Sequence, residues 1–215
     1  MGNISTFYDT FYVAIRNCWP MLTLFVAIIT IIRITHVLIN NEKITLYKEF
    51  YGLLAIIYFL LLYYLLLSTE GATSGFNIIP FQEITRYKFG SKSFFYNVLG
   101  NIALFIPFGY FVSDYLKAKK TSHILLVSTL ISLTAELIQY KIGRAFDIDD
   151  IILNVVGAII GFLAYRCVQT INHHLPKILQ NNIFYNIIAF IVLIIIIALF
   201  GSIWGIKLGW KMTIQ

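Results

Sequence analysis

Charged residues are scarce in this chain of 215 residues: Asp, Glu, Lys and Arg together make up 12% of it. A soluble domain carries roughly 25%, so about half of the usual solvated surface is missing and a soluble globular fold is excluded. Cysteine is nearly absent as well. Cys18 and Cys167 supply neither a disulfide framework nor metal-ligand spacing, and each sits at the edge of an apolar run. There is no internal repeat, no glycine cradle for phosphate, no HExxH and no Ser/His pair placed for nucleophilic attack. The formal net charge of +6 does not indicate nucleic acid, because the basic residues lie in short connections and form no stripe with regular aromatics. Residues 1–17 lack the basic start of a signal peptide, and Asp9 interrupts them.

Apolar side chains dominate instead, at 59% of residues and a mean hydropathy of +0.82. The pattern is that of an integral membrane protein, an all-α bundle of about six spans. A span needs about 20 mostly apolar residues, and six stretches qualify: Trp19–Leu38, Leu46–Leu67, Asn97–Leu116, His123–Ile142, Ile151–Val168 and Ile183–Ile206. Ahead of them Phe7, Tyr8, Phe11, Tyr12 and Ile15 recur at helical spacing, which predicts an amphipathic segment lying in the interface. Arg33, near the end of the first span, is expected to snorkel. Pro107 is expected to kink the third. The division that follows is 1–68 for the amphipathic segment and two spans, 69–170 for a three-span core with a polar loop, and 171–215 for the last span and tail. Basic residues divide seven against eight between the two faces of such a bundle, so charge counting assigns no orientation.

Polar residues inside spans are costly, at about 2.5–3.5 kcal/mol for a charge at the bilayer centre, and mark function or pairing. Asp147, Asp150 and Asn154 are spaced 3 and 4, one helical stripe at the head of the fifth span, with Asp149 beside it. Helix capping accounts for acids there, but not for Asn154 a full turn deeper. Glu136 and Gln139 form a second stripe in the fourth span, and Arg144 is the nearest cation, an ion-pair candidate for Glu136 or Asp147. Asn97 and Asn101 are four apart at the start of the third span. Asn77, Pro80 and Phe81 lie in the long polar connection, where Pro80 forces Ile79 out of the helical region and predicts an extended turn or re-entrant piece. By chain order all four clusters fall on one membrane face. Gly157 and Gly161 read as a close-packing face.

The series Asn77-x-x-Pro80-Phe81, Asn97-x-x-x-Asn101-x-x-x-Phe105-x-Pro107-x-Gly109, Glu136-x-x-Gln139 and Arg144-x-x-Asp147-x-x-Asp150-x-x-x-Asn154-x-x-Gly157-x-x-x-Gly161 resembles the VanZ-like family of bacterial membrane proteins over about residues 77–166. That resemblance implies a role in the bacterial cell envelope, with the Asp147 face outside and Lys117–Lys120 in the cytoplasm. The family is named for a member linked to reduced susceptibility to the lipoglycopeptide teicoplanin. Asn77, Pro80, Phe81, Asn97, Asn101, Glu136, Gln139, Arg144, Asp147, Asp150 and Asn154 are the candidate ligand-binding residues, and no cofactor is identified. The leading expectation is a non-enzymatic polar pocket for a membrane lipid head group or an acylated amphiphile. The alternatives are a lipid-modifying enzyme, with a hard divalent cation on Glu136, Asp147, Asp149 and Asp150, and a transporter or scramblase with buried acids relaying protons. The histidines cannot serve the acids in any of these, because His36, His123, His173 and His174 all fall by the opposite face.

Overall fold

The computed structural model describes residues 2–67, 75–88, 90–176 and 180–203, and the backbone alone for 2–16, 83, 92, 96 and 196–203. The elements are α1 (Gly2–Asn40), α2 (Leu46–Leu67), β1 (Phe76–Asn77), α3 (Gln82–Arg86), α4 (Lys92–Phe94), a π-helical turn (Phe95–Leu99), α5 (Gly100–Leu116), α6 (Thr121–Lys141), β2 (Phe146–Asp147), α7 (Ile148–His174) and α8 (Asn182–Ile203). The all-α membrane bundle is as the composition predicts. Five helical stretches are long and apolar enough to cross a bilayer: Asn17–Asn40, Leu46–Leu67, Asn97–Leu116, Thr121–Lys141 and Ile148–His174. The sixth predicted span corresponds to α8, and its residues 204–206 lie outside the described ones. Large apolar side chains such as Leu126, Leu130 and Leu137 on α6 face outward, as lipid contact requires.

One expectation changes. The amphipathic segment is not a separate element but the beginning of α1, which runs unbroken through Pro20; the apolar face expected at Phe7–Ile15 lies outside the described side chains. Pro107 lies inside α5, which runs on past it, and a π turn precedes the helix at 95–99. Arg33, its side chain 42% exposed, reaches toward the end of its span. Its guanidinium grips Glu49 in bidentate fashion (Nε–Oε2 2.9 Å, Nη2–Oε1 2.8 Å) and reaches Glu42 at 2.9 Å, stapling α1 to α2.

The tightest contact joins α5 to α7. A Cβ on Gly109 would fall on the backbone of Ala158, and one on Gly157 or Gly161 on the carbonyls of Ile102 or Ile106. Glycine is required there because the two backbones touch. The paired positions rise together along both helices, so α5 and α7 run parallel, and α6 between them in sequence runs the other way. Phe105, Phe108, Ala158, Phe162 and Tyr165 fill the core beside this seam. α2 leans on it through Tyr58, whose hydroxyl donates to the Leu104 carbonyl, and through the rings of Tyr51, Tyr58, Phe59, Phe108 and Phe111. This topology brings the start of α5, the end of α6, the start of α7 and the end of α2 to one face.

Candidate functional site

Gly143 sets the geometry where α6 stops. At φ +94° it takes the left-handed conformation that ends a helix. Its N–H bonds the Tyr140 carbonyl, and the next N–H, of Arg144, reaches back to Gln139. The chain therefore folds under α6 and delivers Asp147 to Glu136, whose carboxylate accepts the Asp147 N–H at 3.0 Å. Asp147 then caps α7: its extended backbone (φ −133°, ψ 117°) starts the helix, and its carboxylate accepts the Asp149 N–H at 2.9 Å. The same Oδ1 accepts from the Asn77 amide at 2.9 Å. β1 and β2 pair in parallel, with Phe76 opposite Phe146 and Asn77 opposite Asp147, so the polar loop is sewn to the head of α7.

The Asn-x-x-Pro-Phe piece is a turn held in place by a carboxylate. The Asn77 side-chain oxygen accepts the Ile79 N–H at 3.1 Å, and the Gln82 N–H closes on the Ile79 carbonyl at 3.3 Å. With Pro80 second and Phe81 third at φ +66°, ψ 8°, this is a type II turn, which reserves its third position for positive φ. The central amide is turned so that the Phe81 N–H points at Asp149 Oδ1, while Ile84 N–H donates to Oδ2 at 3.2 Å. Asp149 is 1% exposed. It was counted among the acids but not among the predicted site residues, although it is the one that fixes the loop. The signal was its place one residue before Asp150, on another face of the same first turn.

The remaining predicted residues separate into two groups. Gln139 Nε2 donates to the Leu66 carbonyl at 2.6 Å, and Arg144 Nη1 to the same oxygen at 3.4 Å. Both therefore cap the C-terminal end of α2. The expected ion pair of Arg144 with Glu136 or Asp147 does not form within 4 Å, although its charge acts on Glu136 and Asp150 through space. Asn97 leaves the cluster. The π turn at 95–99 shifts the register from i,i+4 toward i,i+5, so Asn97 is exposed and donates to the Ser93 carbonyl, while Asn101 turns inward to donate to Asp150. Asp147 leaves the expected stripe too, because as cap residue it precedes the helix. Asp150 and Asn154 keep theirs.

One turn below Asp150, the Asn154 amide donates to the Ser132 hydroxyl at 2.9 Å, and Ser132 lies one turn from Glu136 on α6. Ser132 was not foreseen; its i−4 spacing from Glu136 was the available sign. Asn154 is 3% exposed and its Oδ1 has no hydrogen-bond partner, an uncommon state for a buried carbonyl oxygen. Asp150 lies within electrostatic reach of Glu136, Asp147 and Asp149. Neither Glu136 nor Asp150 forms an ion pair among the described residues. No group of three or more His, Cys, Asp or Glu among the described residues is arranged to hold a metal ion. Asp149 turns to the loop while Asp150 turns to α5. The histidines lie at the opposite face, at the end of α1, the start of α6 and the end of α7.

Among curated proteins and among solved structures, none matches this chain. A family model described as VanZ/LLP1 matches residues 50–172. The match opens inside α2, ahead of the motif series, in keeping with the bonds from Gln139 and Arg144 to Leu66. It covers more than half of the sequence, and the chain belongs to the VanZ/LLP1 family.

Proposed function

We propose that the protein is a non-enzymatic, multi-pass protein of the bacterial cell membrane whose site around Asp150 binds the amino group of an amphiphile. The amphiphile would be an aminated lipid head group or an acylated glycopeptide, held in the outer leaflet. One observation carries the reading: among the described residues two carboxylates, Glu136 and Asp150, have no ion pair and a buried amide oxygen, Asn154 Oδ1, has no hydrogen-bond partner, with Asp150 one turn from Asn154 on α7 and Glu136 one turn from its partner Ser132 on α6. All three are acceptors. A primary ammonium carries three donors and no acceptor, and an ammonium–carboxylate bond is the stronger, charge-assisted kind. The position at the head of three spans supports an amphiphile over a soluble ligand, because the tail stays in lipid while the amine meets the acids. A role in resistance to acylated glycopeptides follows if such a molecule is the occupant.

The test uses the purified protein in detergent with dodecylamine, and with dodecanol and dodecyl phosphate as chain-matched neutral and anionic probes. Dodecylamine alone should raise the melting temperature, and Asp150→Asn should remove that shift while the protein still folds. Losing a hydrogen bond to a charged group costs about 1.5–3 kcal/mol, which weakens binding roughly 10- to 150-fold. Equal stabilisation by dodecanol, or an undiminished amine shift in Asp150→Asn, would overturn the reading.

A further inference from the structure

The loop that Asp149 holds presents an apolar edge. Phe76, Ile78, Ile79 and Phe81 are 63, 59, 60 and 56% exposed, four large side chains within six residues, all outside the spans. This edge is not slack. Phe76 stacks on Phe146 at 4.8 Å between ring centroids and meets Tyr140 edge-on at 5.8 Å. Asn77 is tied to Asp147, and the Phe81 and Ile84 amides to Asp149. Phe81 also occupies a left-handed position that glycine would take without strain; here that position carries an aromatic ring.

We infer that residues 76–81 form a rigid wedge that inserts into the head-group and acyl boundary of the leaflet this chain spans. Depth and charge argue for lipid as the occupant. The loop springs from the same face at which α2 and α6 end and α5 and α7 begin, so it lies at the level of the interface. Basic residues surround it in sequence, with Arg86 and Lys88 following it and Lys141 at the end of α6, all exposed. Aromatic and aliphatic side chains rimmed by Lys and Arg are the pairing that an anionic interface attracts. The inference does not depend on what the acid site holds.

The protein carrying Cys18→Ala and Cys167→Ser is given a single new cysteine, Ile79→Cys, bearing a nitroxide. It is reconstituted in vesicles of phosphatidylethanolamine and phosphatidylglycerol. Oxygen, which concentrates in the bilayer, should relax the label more than a water-soluble nickel chelate does; a label at Lys119→Cys, in the exposed connection on the other face, should show the reverse. Ile78→Cys provides a second site on the wedge should Ile79→Cys fail to fold. Adding Lys88→Glu should move the wedge label toward the chelate in anionic vesicles. Greater access to the chelate than to oxygen at both wedge sites overturns the inference, as does shielding from both, which is the signature of a protein partner or second copy on this edge.

Discussion

Asp149→Asn separates loop anchoring from global stability. The Asp149 carboxylate accepts two backbone N–H groups, from Phe81 and Ile84. An asparagine keeps one acceptor oxygen, turns an N–H₂ toward the second donor and removes the charge. A hydrogen bond to a charged group contributes about 1.5–3 kcal/mol, or roughly a 10- to 150-fold change in an opening equilibrium. The folded loop already bears about 1–2 kcal/mol for the left-handed Phe81, which opening releases, and the β1–β2 pairing, the Asn77–Asp147 bond and the Phe76–Phe146 stack are what still hold its first part once the Asp149 charge is gone. The rest of the bundle should not respond, because α5 and α7 are joined by the Gly109, Gly157 and Gly161 contacts well below the loop. Hydrogen exchange followed by mass spectrometry is the assay: amides of 75–88 should exchange faster by a factor in that range, with α5 and α7 peptides unchanged. An unchanged loop, or acceleration spread evenly through α5, α6 and α7, would refute the anchoring argument.

Gly161→Ala places a methyl group on the Ile106 carbonyl and should cost about 1–3 kcal/mol, read as a lowered midpoint in a detergent-unfolding titration. Gly143→Ala forces a side chain into φ +94° and should cost about 1–2 kcal/mol in the same titration, while also loosening Asp147. Glu49→Gln removes the charge of the bidentate Arg33 pair, yet its side chain is 31% and that of Arg33 42% exposed, so the loss should stay below about 1 kcal/mol. For orientation, Ala145→Cys should react with an impermeant thiol reagent in intact cells and Lys119→Cys only after permeabilisation; the opposite result would invert the proposed topology.

Span positions were legible because they rest on length and composition, which tertiary contacts do not override in lipid. Leu46–Leu67 and Asn97–Leu116 coincide with the observed stretches residue for residue. Convergence of the polar clusters on one face was legible as well, since alternating spans fix which ends meet. What the sequence hid was the partner of each polar group. Gln139 and Arg144 both bond a backbone carbonyl, Leu66, which has no signature in a side-chain pattern. Asn97 and Asn101 satisfied the i,i+4 rule and were parted by a π turn that no residue type announces. Asp149 was passed over because a helical stripe selects every third or fourth residue, whereas this carboxylate works sideways, on the loop.

Four of the chain's ten acids, Glu136, Asp147, Asp149 and Asp150, stand within fifteen residues of one another, and their different attachments divide their roles. Asp149 binds two loop amides, and Asp147 binds an amide of its own helix and the Asn77 side chain. Exchange of either disturbs backbone geometry first and electrostatics second. Glu136 is intermediate, since one oxygen positions Asp147 through its N–H. Among the described residues, Asp150 alone of the four bonds a side chain and no backbone N–H, the side chain of Asn101 on α5. That bond links α7 to α5 at a position where a neutral residue would be less costly in lipid, and the proposed function gives the charge its use. The unsatisfied oxygen of Asn154 lies one helical turn deeper along the same stripe. Asp150 faces α5 through Asn101 while Asn154 faces α6 through Ser132, so the two acceptors look to different neighbours of α7, next to the loop that Asp149 anchors.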